Sequence, residues 1–142
     1  MSGWPNGAPI EGDAARRTRT VRAEDIELFT RITGDRNPLH YDDAAARGSR
    51  FGEIIVQGGV TSGILNAVVA EDLPGPGTVF LEVHWKFLAP VRPGDEVTGE
   101  VEVLQVRADK PIATLHTTVT RGDGTVVLDG TAVTYTSELG DR

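Results

Sequence analysis

A carboxylate and an imidazole stand five residues apart in Gly34-Asp35-Arg36-Asn37-Pro38-Leu39-His40. The Asn37-Pro38 turn between them can bring both side chains to one pocket. A carboxylate and an imidazole that share one water are suited to proton transfer. Histidine changes charge near neutrality, and a nearby carboxylate can set its tautomer and basicity. The same residues also read as ordinary turn chemistry followed by a surface histidine. The spacing alone leaves both readings open.

The elements around this segment are expected as follows. Thr18–Arg22 is a short alternating stretch and a first strand. Ala23–Thr33 is a helix with Ile26, Phe29 and Ile32 on one face and Leu28 flanking it. Glu24 and Asp25 sit in its first turn, where the helix dipole favours acids, and Gly34 stops it. Asp35–Tyr41 is a loop. Asp42 caps a short helix over Asp43–Arg47. Gly58–Leu73 is apolar nearly all round, through Val60, Ile64, Leu65, Val68 and Val69, so it is expected to be a buried helix. Pro74-Gly75-Pro76-Gly77 ends it.

Beyond that point the period changes from helical to two. Val79, Leu81, Val83, Trp85 and Phe87 alternate along a strand, and Glu96–Arg107, Ile112–Arg121 and Thr125–Thr136 follow as further strands. The short connections predict antiparallel neighbours. Helices first and strands after make an α+β domain. A sheet wrapped on the Gly58–Leu73 helix is the simplest way to bury that helix on all sides.

The chain has 142 residues, enough for one domain with a substantial core, and no cysteine. Disulfides, a thiol nucleophile and a zinc–thiolate site are excluded. Three histidines are too few for a histidine-rich metal cluster. A net charge of −7 argues against nucleic acid as a partner, since such binding rests on Lys and Arg. No run reaches the roughly 18–20 apolar residues of a membrane span, and the N-terminus lacks a signal layout. A cytoplasmic location is the expectation. Residues 1–15, rich in Gly and Pro, are expected as a flexible arm, with Trp4 an oddity able to pack on the domain; residues 16–142 form the domain.

Phe29–Ala46, with Gly34, Asp35, Asn37, Pro38, Leu39, His40 and Ala46, resembles the signature of the (R)-specific enoyl-CoA hydratases, the MaoC-like family of hot-dog folds. The similarity continues through Phe51-Gly52, Gly58, Leu73-Pro74-Gly75, Pro90-Val91, Gly94-Asp95-Glu96-Val97 and Asp109–Leu115, and spans roughly Thr18–Tyr135. It implies a single hot-dog domain, a sheet around a central helix, assembled as a homodimer or a dimer of dimers. It implies that Asp35 and His40 are the catalytic pair gripping the reacting water. The Gly58 N–H would bind the thioester oxygen, a role suited to a helix N-terminus with free N–H groups. Asn66 falls where relatives place a small hydroxyl residue near the carboxylate. Gln57 stands where many relatives carry His, and Gly59 where many carry a larger apolar residue; both would shape the acyl pocket. Asn37 is grouped with these as a substrate-side candidate.

The implied reaction is reversible hydration of a trans-2-enoyl thioester. It needs no metal or redox cofactor, with coenzyme A or an acyl carrier protein as the carrier on the substrate. Which of Asp35 and His40 moves which proton stays open. A hot-dog thioesterase and a non-catalytic binding subunit are the rival readings. His84 and His116 are read as structural. Trp85 and Phe87 are assigned to the core or a subunit interface, and Lys86, Arg92, Arg107 and Lys110 to the surface, where some could meet carrier phosphates.

Overall fold

The computed structural model describes residues 3–141. Its elements run β1 (Ala14–Thr20), α1 (Ala23–Thr33), α2 (Pro38–Tyr41), α3 (Asp43–Arg47), α4 (Gly58–Ala67), a π-helical turn (Val68–Asp72), β2 (Thr78–Phe87), β3 (Glu96–Val106), β4 (Ile112–Arg121) and β5 (Val126–Thr136). The five strands form one antiparallel sheet in the order β1-β3-β4-β5-β2. The three-residue separator at 122–124 is a tight reversal, with Arg121 N–H on Thr125 O, whereas the one at 93–95 does not join neighbours as expected, since β3 pairs with β1 and β4 and β2 with β5.

The sheet lays its inner face on α4. Val97, Val101, Leu115, Val119 and Leu128 meet Val60, Ile64, Leu65 and Val68 in one core, all buried. The alternation along β3 and β4 is therefore the buried face of a sheet covered by a helix. Gly99 marks the closest seat of the helix, since a Cβ there would lie 2.7 Å from Ile64 Cγ2. The helix expected to run to Leu73 keeps its direction, but its last stretch widens into the π-helical turn, which buries Val68 and Val69.

Three expectations change. Strand β1 starts at Ala14 and ends at Thr20, because Val21 N–H bonds to Asp95 O at the turn before β3. Ala14 and Ala15 thus belong to the sheet and not to an arm. Ahead of them, Gly12 N–H donates to Val103 O at 2.8 Å and Trp4 is buried at 8% exposure, so residues 4–13 lie along β3. Met1 and Ser2 fall outside the described residues. On α1, Ile26 and Thr30 are buried while Ile32 is 83% exposed. The helix meets the core through its first turns, and its end projects past it. On β2, Val79, Leu81, Val83 and Phe87 are exposed although the pattern is that of a core strand. Strand β2 lies at the sheet edge, and α4 does not reach across it.

Candidate active site

The turn that carries the acid–base pair is built by local hydrogen bonds. Gly34 ends α1 in the left-handed region at φ 79°, and its N–H closes on Thr30 O at 2.7 Å. Asp35 Oδ1 then accepts the Asn37 N–H at 3.1 Å, and Asn37 Oδ1 accepts the Leu39 N–H at 3.0 Å. With Asn37 as cap and Pro38 in the first position, α2 forms inside the stretch expected to be a loop. It presents His40 inward.

His40 is buried, and its Nδ1 lies 2.6 Å from Ile55 O. A carbonyl oxygen only accepts, so Nδ1 carries a proton, and in the neutral ring the lone pair is on Nε2. Nε2 lies 3.8 Å from Asp35 Oδ2. That gap is too long for a direct hydrogen bond and short enough for one water to bond both groups. Asp35 is half-buried and His40 nearly closed off, so the pair joins a solvated carboxylate to a fixed base.

A cleft of about 320 Å³ opens beside His40, lined by Ile55, Val56, Gly58, Thr61, Phe87 and Pro90 among others. Neither the Gly58 N–H nor the Gly59 N–H has an acceptor among the described residues. As the first amides of α4 they carry the positive end of the helix dipole, and Gly58 stands on the cleft wall. A Cβ on Gly58 would approach the Phe87 ring to 3.2 Å. The cleft can thus receive a polarised oxygen at one point and offer His40 at another, between mostly apolar walls, with Asp35 next to His40 but outside the lining.

The other expected site residues lie elsewhere. Asn37 spends its side-chain oxygen on the cap and does not line the cleft. Gln57 is 1% exposed and turns its amide into the protein, donating to Ile26 O and Thr30 Oγ1 at 3.1 Å each. Gly59 faces α1, where a Cβ would fall 2.1 Å from Phe29 Cζ. Neither residue lines the cleft, because α1 packs across that side of α4. Asn66 is exposed on α4, with no side-chain hydrogen bond among the described residues. Phe87, assigned to core or interface, is a cleft wall.

The remaining candidates fit surface roles. His116 pairs with Asp129 at 2.8 Å in a half-exposed position. Arg107 holds Asp109, whose carboxyl sits below the usual carboxylate range because the guanidinium hydrogen-bonds to it. Sequence reasoning missed Thr30, Tyr41 and the Ile55 carbonyl. The first had a signal, a hydroxyl four residues after Ile26 on the helix face that turns inward. The carbonyl had none. No group of three His, Asp or Glu side chains suited to a metal ion occurs among the described residues, nor any helix long and apolar enough to cross a membrane.

Comparison with known proteins bears on the fold and the family. The chain is 38% identical over 122 residues to the (R)-specific enoyl-CoA hydratase of Aeromonas caviae, covering 86% of this chain and 91% of that one. It is 41% identical over 115 residues to the 3-hydroxybutyryl-CoA dehydratase of Methylorubrum extorquens, covering 81% and 73%. The solved structure of the A. caviae (R)-hydratase superposes with a TM-score of 0.86 at 36% identity, over 91% of this chain and 98% of that one. Residues 6–125 match the MaoC-like domain, and the chain belongs to that family.

Proposed function

We propose that the protein is a hydro-lyase that reversibly adds water to trans-2-enoyl thioesters, giving (R)-3-hydroxyacyl thioesters. The observation that carries this reading is the Asp35–His40 pair, 3.8 Å apart, beside a cleft walled by the free amide end of α4. Asp35 and His40 hold one water. Its oxygen bonds to C3 while one of its protons passes to the pair. The C2–C3 π electrons move toward the thioester carbonyl, whose oxygen gains charge and takes the Gly58 N–H. A proton from the pair then reaches C2, so water is added and nothing else is consumed. Donors fixed before the charge develops stabilise it without reorganisation. The handedness of the product rests on the names of the relatives.

The carrier is coenzyme A or an acyl carrier protein, and the proposal calls for no resident cofactor. It includes a cytoplasmic setting, with which a cysteine-free chain is compatible. It also includes a homodimer or a dimer of dimers. Strand β2 is an open edge carrying exposed Val79, Leu81, Val83 and Phe87, a surface that a second copy would cover.

Incubation with crotonyl-CoA tests the reaction. Loss of enoyl absorbance without release of free thiol is the expected result. Free thiol would instead make the protein a thioesterase, and inertness toward a panel of enoyl thioesters would leave a binding subunit.

A further inference from the structure

Behind the catalytic turn lies a polar cluster that the proton transfer does not use. Thr30 Oγ1, on a residue only 3% exposed, stands 2.8 Å from Asp35 O and 3.0 Å from Ile26 O, against the Tyr41 hydroxyl. Gln57 Nε2 donates to Thr30 Oγ1 and to Ile26 O, and stands 3.5 Å from Asp35 O. Tyr41 Oη also stands 3.0 Å from Glu27 Oε2, so its one proton goes either there or to Thr30 Oγ1. The amide can face only one way. Turned over, its oxygen would confront two carbonyl oxygens. In the orientation it adopts, Gln57 Oε1 is buried without a partner among the described residues, which is unfavourable by itself. The contacts made by Nε2 are what this side chain contributes.

Each member of the cluster adjoins one part of the site. Thr30 holds the carbonyl of Asp35. Tyr41 follows His40 in the chain. Gln57 precedes Gly58 and is the N-cap of α4. We propose that Thr30 and Gln57 are positioning residues, with the Thr30 hydroxyl as the junction that keeps Asp35, His40 and the Gly58 N–H in register. The proposal rests on the hydratase reading for its catalytic consequence. Its structural part, the anchoring of residues 34–41, stands apart from that reading.

The test uses Thr30→Val, Gln57→Met and Thr30→Ser, read by steady-state hydration of crotonyl-CoA and by hydrogen exchange of the amides in residues 34–41. A misplacement near 1 Å costs about 10²-fold in rate. Thr30→Val and Gln57→Met should therefore lower kcat by about 10- to 100-fold, with KM held within about twofold. Exchange in 34–41 should quicken, and Thr30→Ser should restore both readouts. Thr134→Val is the control. Thr134 is a buried threonine on β5 whose hydroxyl has no partner among the described residues, and its loss should move neither readout. Unchanged kcat and unchanged exchange in Thr30→Val and Gln57→Met would overturn the proposal. A loss carried by KM alone would do the same, as would a Thr30→Ser variant no better than Thr30→Val. If the wild-type protein hydrates no enoyl thioester, the functional reading fails and the exchange comparison decides the anchoring. If Thr30→Val does not fold, Gln57→Met and Tyr41→Phe decide it by the same readouts.

Discussion

At the scale of single residues, the catalytic case rests on how two side chains are held. His40 is fixed through Nδ1 by a backbone carbonyl, and Asp35 through Oδ1 by a backbone amide, which leaves Nε2 and Oδ2 facing each other. Asp35→Asn keeps an oxygen able to accept the Asn37 N–H, so its fold should be retained. His40→Ala leaves Ile55 O without its partner and should fold with lower stability. Both should lose hydration turnover by about 10²–10⁴-fold, the usual weight of one acid–base group. Steady-state rates on crotonyl-CoA, with circular dichroism as the check on folding, decide it. Near-normal turnover in either variant would remove that residue from the mechanism. The Asp35–His40 spacing was legible in the sequence because turn and cap chemistry is local. The tautomer of His40 was not, since it depends on a carbonyl fifteen residues away.

At the scale of elements, α4 begins where three parts of the fold converge. Gly58 touches Phe87 at the end of β2, Gly59 touches Phe29 on α1, and Gln57 points inward between them. The two glycines have different reasons for lacking a side chain. At Gly58 a side chain would intrude on the cleft, so Gly58→Val should keep its dichroism and its assembly. Its turnover should fall by about 10²-fold or more, the loss typical of one displaced oxyanion donor. At Gly59 a side chain would drive into the Phe29 ring. The resemblance to relatives with bulk at this position implied a change of acyl preference. The packing of α1 makes Gly59→Met an overpacked variant, with stability lowered by about 1–3 kcal/mol. Urea denaturation and acyl-length profiling separate the outcomes. A Gly59→Met protein of unchanged stability with a shifted acyl preference would return Gly59 to the pocket wall.

At the scale of the whole molecule, the sheet ends in two edge strands, β1 and β2, and the large apolar side chains are exposed on β2. Buried side chains of β3, β4, β5 and α4 form the core, while β2 presents an apolar edge to solvent. Unpaired edges of this kind recruit further strands. Light scattering at micromolar concentration should give the mass of a dimer or a multiple of one. Leu81→Arg and Val83→Lys, placed on that edge, should shift the mass toward the monomer and lower activity, since Phe87 at the end of the same strand is a cleft wall. A monomer with full activity would sink the dimer proposal.

What the sequence determined by itself were features governed by neighbours along the chain. Helix Ala23–Thr33 with its Gly34 stop, the Asp42 cap and strand Ile112–Arg121 emerge where the residues predict them. Caps, turns and hydrophobic periods are satisfied within a few residues, so they can be read locally. The candidate pair Asp35 and His40 belongs to the same class. Only the tertiary structure decided where Gln57 and Gly59 point, that Thr30 is a buried junction, that Trp4 packs in the core and that β2 lies at an edge. Each of these depends on residues far apart in the chain, such as Gln57 with Ile26, Gly59 with Phe29 and Gly58 with Phe87. Periodicity shows that a strand or helix has an apolar face. It does not show what covers that face, because coverage depends on the order of strands in the sheet and on which side of α4 is occupied by α1.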